Sequence, residues 1–142
     1  MSTGAAVKGT TEMIAAMSPD LRPEVFVFAS LRDETLADRL AAGAIASFRE
    51  AEGLSLIVTD DEARSAGLPA DLPMRCITLT VHSALDGVGL TAAVAGTLGR
   101  EGIPCNMVAA FHHDHVFVPA GMAGRAMEVL ARLQAEARAG LR

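Results

Sequence analysis

Two segments in the second half of the chain carry residue types that could bind a ligand or support chemistry. The first is a turn, Leu85-Asp86-Gly87-Val88-Gly89, which leads into a segment with the apolar spacing of a helix. The second is a polar stretch, His112-His113-Asp114-His115, in which every side chain is able to coordinate a metal ion. The turn indicates binding of a small molecule, whereas the histidine-rich stretch raises the alternative of metal-dependent catalysis.

The glycine-bearing turn suits the binding of a carboxylate. Backbone N–H groups at the start of a helix have no partners within the helix, and the helix dipole is positive there. Glycines let a ligand approach the backbone, because no Cβ obstructs it. The alternative is a loop that uses glycine only for positive φ values. Residues 87–92 also fit the pattern G-x-G-x-x-G/A, but the long loop before them and the hairpin predicted after the helix argue against a dinucleotide site.

The histidine-rich stretch is more typical of a polar turn than of a metal centre. Adjacent residues of a tight hairpin alternate sides, so His112, His113 and His115 would need a further ligand from elsewhere, such as His82, to hold one ion. Asp114 would fix the turn through backbone N–H groups. We therefore predict no metal site and no cofactor, with these three hairpin histidines as the remaining candidates for metal ligands.

The nucleophilic side chains lack the arrangement that catalysis needs. Ser83 lies beside His82 and near Asp86, but neighbours in sequence cannot form a Ser-His-Asp relay. Cys105 has no cationic neighbour in sequence to activate its thiol, and with Cys76 it is expected to remain a free, unreactive cysteine. The sequence therefore predicts a protein that is not an enzyme.

The composition of the chain limits the classes of partner that we expect it to bind. Its 142 residues are 51% hydrophobic and carry a net charge of −5, with scattered basic residues and neither Trp nor Tyr. Nucleic acid is therefore not an expected partner. No apolar run approaches the roughly 20 residues that span a bilayer, and no signal-peptide segment follows Lys8. We expect a cytoplasmic protein without membrane contact.

The periodicity of apolar residues predicts two similar strand-helix-hairpin-helix units. The apolar run 56–58 followed by Ala63 and Ala66 corresponds to the run 116–118 followed by Ala123 and Ala126, 60 residues further along the chain. The predicted elements are helices 10–17, 32–39, 60–66, 87–98 and 119–138 and strands 25–29, 44–50, 54–59, 75–81, 103–111 and 115–118.

This order predicts an α+β fold made of tandem ferredoxin-like units, with antiparallel sheets and helices packed on one face. We assign residues 1–9 to a mobile N-terminus, 10–72 to the first unit and 73–138 to the second. Either unit alone would bury too little apolar surface, so we expect the units to share a core and the chain to form a homodimer.

Residues 75–119 resemble the ACT domains, which are small regulatory modules that bind amino acids and related ligands. The resemblance lies in the strand Ile77-Thr78-Leu79-Thr80-Val81, in Gly89-Leu90 at the start of a helix, and in Gly102-Ile103 before the next strand. Residues 75–83, 88–92, 113–119 and 48–54 are similar to a group of bacterial tandem ACT proteins of unassigned function. The resemblance covers residues 9–133.

The resemblance implies a non-catalytic regulatory protein that binds an amino acid at an ACT–ACT interface, between the glycine-bearing turn and the second strand of a neighbouring unit. The alternatives are an interaction or dimerisation module without a ligand, and a metal-dependent enzyme that uses the histidine-rich hairpin. The predicted ligand-binding residues are His82, Ser83, Leu85, Asp86, Gly87, Val88, Gly89, Leu90, Cys105, Asn106 and Met107.

Overall fold

The computed structural model of the chain describes residues 9–82, 85 and 87–141. These residues form two compact units. The inserted unit is Glu24–Met74, and the outer unit combines the described residues of Met1–Pro23 with those of Arg75–Arg142. Apart from Gly9, the predicted mobile N-terminus lies outside the described residues.

Helices and strands alternate along the chain much as the sequence predicts. Their bounds are α1 (Thr10–Ala16), β1 (Pro19–Leu31), α2 (Glu34–Ala41), β2 (Ala46–Glu50), β3 (Gly53–Thr59), α3 (Asp60–Ser65), β4 (Met74–Leu79), α4 (Leu90–Arg100), β5 (Asn106–Ala109), β6 (Asp114–Pro119), a 3-10 turn (Ala120–Met122) and α5 (Ala123–Gly140). None of the described helices combines the length and the hydropathy of a membrane-spanning segment.

The inserted unit is an antiparallel sheet with helices on one face. Strand β3 pairs with β1 on one side and with β2 on the other, which confirms the first predicted hairpin. The β1 and β3 residues that enter the core alternate with residues on the opposite face, where Phe26 and Ile57 are buried as well. The core of this unit contains Val27, Leu31, Ala37, Leu40, Leu56, Val58 and Ala63.

The outer unit has a larger core between its strands and α1, α4 and α5. Strands β5 and β6 pair antiparallel from Asn106–Phe117 to Ala109–Asp114, which confirms the second predicted hairpin. Helix α1 buries Met13, Ile14 and Ala15, and α5 packs against α1, α4 and β6. The most buried core side chains are Met13, Met17, Ile77, Leu79, Val94, Leu98, Val116, Val118, Ala126 and Leu130.

Strand β1 starts six residues earlier than predicted, at Pro19. Proline at the first residue of a strand costs no ladder hydrogen bond, because that position needs no N–H donor. The neighbouring chain segment is held by the second half of the sequence: the Thr80 N–H donates to the Met17 carbonyl oxygen at 2.7 Å, and the Thr80 hydroxyl donates to the Ser18 carbonyl oxygen at 2.9 Å. The described residues up to Pro23 pack with the second half of the chain.

Candidate functional site

Helix α4 begins at Leu90 and presents its first backbone N–H groups without a side-chain cap. The N-cap residue is Gly89, whose carbonyl oxygen accepts the Ala93 N–H at 2.9 Å. The N–H groups of Leu90, Thr91 and Ala92 precede this first helical bond, so they have no partner within the helix. Together with the positive end of the helix dipole, these donors can receive an anion.

Gly89 is required by the backbone and by the packing of α1. Its φ of +107° lies in the region that favours glycine. The Thr10 hydroxyl donates to the Val88 carbonyl oxygen at 2.5 Å, and a Cβ added at Gly89 would lie 2.8 Å from Thr10 Cγ2. The positive φ therefore explains this glycine whether or not a ligand binds beside it.

A cavity of about 100 Å³ lies between the start of α4 and the end of the β5–β6 ladder. Ala109 and Asp114 form the last antiparallel pair of that ladder, and both line the cavity. Asp114 is only 8% exposed. The full lining is Met13, Leu85, Gly87, Gly89, Leu90, Thr91, Ala109 and Asp114.

The cavity brings together part of the predicted ligand-binding set. Leu85, Gly87, Gly89 and Leu90 line it, whereas Ser83 and Asp86 lie outside the described residues. Val88 is exposed beside the cavity, with its carbonyl bonded to Thr10.

The remaining predicted ligand residues do not line this cavity. His82 is half-buried and its ring lies 5.4 Å from that of His112, measured between centroids. Met107 packs against the core, Asn106 is exposed at the start of β5, and Cys105 precedes that strand. Burial raises the pKa of the Cys105 thiol, which disfavours the reactive thiolate.

Four lining residues were absent from the predicted set: Met13, Thr91, Ala109 and Asp114. The pairing of Ala109 with Asp114 follows from the hairpin register, which is a signal that the sequence contains. Met13 joins the site only because α1 packs with the second repeat, and no local pattern indicates that contact.

The hairpin histidines point to different partners. His115 Nδ1 lies 3.0 Å from the Thr78 hydroxyl oxygen, and His113 Nδ1 lies 3.2 Å from the Val81 carbonyl oxygen. His112 instead contacts the ring of Phe111 edge-on, with the ring centroids 5.0 Å apart. Among the described residues, no group of three or more His, Cys, Asp or Glu side chains is placed to hold a metal ion.

These features define an α+β protein built from two units, with a small cavity at the start of one helix. Residues 6–75 and residues 71–132 each match a sequence profile described as an ACT domain. The chain therefore belongs to the ACT domain family, with two ACT domains in tandem, and the resemblance seen in the sequence is confirmed.

Solved structures share this architecture. A Vibrio cholerae protein of unknown function, described as a possible transport protein, is 42% identical to this chain, with a TM-score of 0.76 over 85% of this chain and 92% of that one. An Agrobacterium tumefaciens protein is 22% identical, with a TM-score of 0.63 over 82% of this chain and 87% of that one. The ligand-free regulatory subunit of aspartate kinase from Thermus thermophilus is 10% identical, with a TM-score of 0.60 over 83% of this chain and 97% of that one.

The two more distant structures show the fold alone, and they confirm the predicted ferredoxin-like ACT arrangement. No curated protein matches the sequence.

Proposed function

We propose that this chain is a non-catalytic regulatory protein that binds a small amino acid in the outer-unit cavity. In this proposal the ligand is covered by a second ACT unit, supplied by the partner chain of a homodimer. The regulatory role is supported by the fold shared with the aspartate kinase regulatory subunit, and the chemistry of the cavity supports the ligand class.

The observation that carries the proposal is the pairing of opposite charges across one cavity. The N–H groups at the start of α4 suit a carboxylate, and the Asp114 carboxyl group suits an ammonium group. A free amino acid carries both groups on adjacent atoms. A ligand with only one of these groups would contact only one of the two walls of the cavity.

The volume of the cavity restricts the ligand to a small amino acid. The cavity has a volume of about 100 Å³, which suits a ligand smaller than drug-sized molecules. Drug-sized ligands fill cavities of roughly 300–1,000 Å³. We therefore expect glycine, alanine or serine to bind, and aromatic amino acids to be excluded.

The exposed apolar side chains around the cavity support a covering partner chain. Leu85, Val88 and Phe111 are 67%, 79% and 69% exposed, and they belong to the loop before α4 and the loop of the β5–β6 hairpin. A group of large apolar side chains exposed around one site is typical of a protein interface. Asn106 is exposed on the edge strand β5. In this proposal the partner chain's Asn106 contacts the ligand.

A cavity-filling substitution tests this proposal. We expect Ala109→Leu to lower the affinity for glycine and L-alanine at least about tenfold, because the added side chain occupies the ligand volume. The matched control is Ala131→Leu, which makes the same change at an exposed position of α5 that does not line the cavity. Isothermal titration calorimetry measures both affinities, and light scattering should report twice the 14.7 kDa chain mass.

Equal affinities in the two variants would place the ligand elsewhere. A dimer that binds none of the small amino acids would instead support the alternative of an interaction module without a ligand.

A further inference from the structure

A row of polar side chains crosses the strands of the outer unit, on the face opposite the core that these strands share with α1, α4 and α5. The row consists of Arg22 on β1, Thr78 on β4 and His115 on β6. Successive residues of a strand point to opposite faces. The sequence neighbours of the row pack in or against the core: Leu21, Ile77, Leu79 and Val116. The row therefore lies on the other side of the strands from the cavity beside α4, which is lined by the core residue Met13.

Two hydrogen bonds to one oxygen atom hold the row together. Arg22 Nε donates to the Thr78 hydroxyl oxygen at 3.1 Å, and His115 Nδ1 lies 3.0 Å from the same oxygen. Thr78 is only 6% exposed, so little water competes for these bonds. Arg75 Nε also donates to the backbone carbonyl oxygen of Arg22 at 3.1 Å, which fixes the strand at this residue. The Arg22 and His115 side chains are therefore held in place before any ligand binds.

The directions of these hydrogen bonds determine which groups can bind a ligand. Because Arg22 Nε–H donates to the Thr78 oxygen, the hydroxyl proton is free to be donated to His115 Nδ1. A neutral imidazole that accepts at Nδ1 carries its proton on Nε2, so His115 presents an Nε2–H donor. Arg22 adds the N–H groups of Nη1 and Nη2, and none of the residues that the structure describes accepts a hydrogen bond from them.

Arg22 has no carboxylate partner within the described part of the chain. The acidic residues nearest to it along β1 are Asp20 and Glu24, which are both exposed, and neither forms an ion pair with its guanidinium group. Arg22 itself is half-buried, so water and salt screen its charge less than that of a fully exposed arginine. Its guanidinium group is therefore available to an anion from outside the chain.

The surroundings of His115 would also respond to an anion. Burial and the positive charges of Arg22 and His113 lower the pKa of His115, against a smaller opposing effect of Asp114. The residue opposite His115 on β5 is Val108, which is uncharged. These surroundings favour the neutral imidazole as long as no anion is bound. An anion beside the ring stabilises the imidazolium form, so its binding should raise the pKa of His115.

We propose that Arg22, Thr78 and His115 form a site for a phosphate group, either free or carried by a small molecule. Arg22 Nη1 and Nη2 bind two phosphate oxygens in parallel, and His115 Nε2–H donates to a third. Thr78 positions both side chains through its hydroxyl group and does not contact the ligand. A carboxylate offers only two oxygens to these three donors, so it should bind more weakly. The site is independent of the amino-acid cavity beside α4.

Titration of the full chain with sodium phosphate at neutral pH tests this assignment. Sodium chloride of equal ionic strength is the control for screening, and sodium acetate is the carboxylate probe. Imidazole chemical shifts of a sample labelled with ¹⁵N-histidine report on His115. We expect saturable shifts with phosphate, weaker binding of acetate, and a higher pKa of His115 in saturating phosphate than in chloride.

Variants of Arg22 separate the proposed site from general attraction of anions. We expect Arg22→Gln to weaken phosphate binding at least about tenfold, because it removes the charged pair of parallel donors. Arg22→Lys is a milder change that keeps the charge but loses this pair, so its affinity should also fall. The matched control, Arg100→Gln, alters an exposed arginine whose guanidinium group donates to Thr97 within α4, and its affinity should equal that of the unsubstituted chain.

Four results would each overturn the assignment. Phosphate and chloride could cause the same shifts, or the pKa of His115 could be the same in both salts. Acetate could bind at least as tightly as phosphate. Finally, neither Arg22 variant could bind phosphate more weakly than Arg100→Gln does. Urea unfolding of each variant confirms that it is folded, and Arg22→Lys alone decides the comparison if Arg22→Gln does not fold.

Discussion

At the scale of single residues, the surroundings of His115 favour its neutral form. Burial lowers the pKa of His115 most strongly, and the positive charges of Arg22 and His113 lower it further, against a smaller opposing effect of Asp114. The hydrogen bonds agree with this direction. Arg22 Nε donates to the Thr78 hydroxyl oxygen at 3.1 Å, which leaves the hydroxyl proton free to be donated to His115 Nδ1 at 3.0 Å.

The lowered pKa of His115 predicts a dependence of stability on pH. In the unfolded chain this histidine takes up a proton as the pH falls through its ordinary pKa of 6.5, while the folded chain takes it up only at lower pH. The stabilising effect is thus complete above pH 6.5 and is lost as the pH falls from there through the lowered folded pKa. Urea unfolding at a series of pH values should show this decline, and His115→Gln should remove part of it. Parallel curves for the two proteins would contradict the assignment.

At the scale of elements, Gly89 at the N-cap of α4 and Gly99 within the helix have different requirements. Gly89 at the N-cap has a φ of +107° and lies against Thr10, which belongs to α1. Gly99 lies inside the helix, and a Cβ added there would meet nothing within 4 Å. The same substitution at these two positions therefore separates backbone strain from helix propensity.

We expect Gly89→Ala to destabilise the chain by about 1–2 kcal/mol or more, because alanine is strained at positive φ and its Cβ displaces Thr10. Gly99→Ala should stabilise it by about 0.5–1 kcal/mol, since alanine is the better helix former and restricts the unfolded chain. Urea midpoints at one pH measure both effects. If the urea midpoints of both variants shifted in the same direction, the expected strain at Gly89 would be absent, because the loop before α4 relaxes around the new side chain.

At the scale of the whole molecule, the elements with strong periodicity were predictable from the sequence. Both hairpins and α5 follow from the alternation and the helical spacing of apolar residues. The family was indicated by the resemblance of residues 75–119 to ACT domains. The start of β1 was not predictable. Pro19 and Pro23 are typical chain breakers, and the strand extends over them because the adjacent residues bond to Thr80, far along the sequence.

Only one side of the cavity beside α4 could be predicted from the sequence. The glycine-bearing turn has a local signature, so Gly87, Gly89 and Leu90 could be identified from sequence. Ala109 and Asp114 lie opposite each other only in the exact register of the β5–β6 hairpin. The histidines of that hairpin suggest metal binding instead. The contribution of Met13 depends on the packing of α1, which no short-range pattern encodes.

We propose that a small amino acid binds between the start of α4 and the end of the β5–β6 ladder. Titration of ¹⁵N-labelled chain with L-alanine, followed by backbone amide chemical shifts, tests it most directly. We predict saturable shifts that are largest for the amides of Leu90, Thr91, Ala109 and Asp114. Spectra that do not change, or changes confined to Glu24–Met74, would contradict the claim.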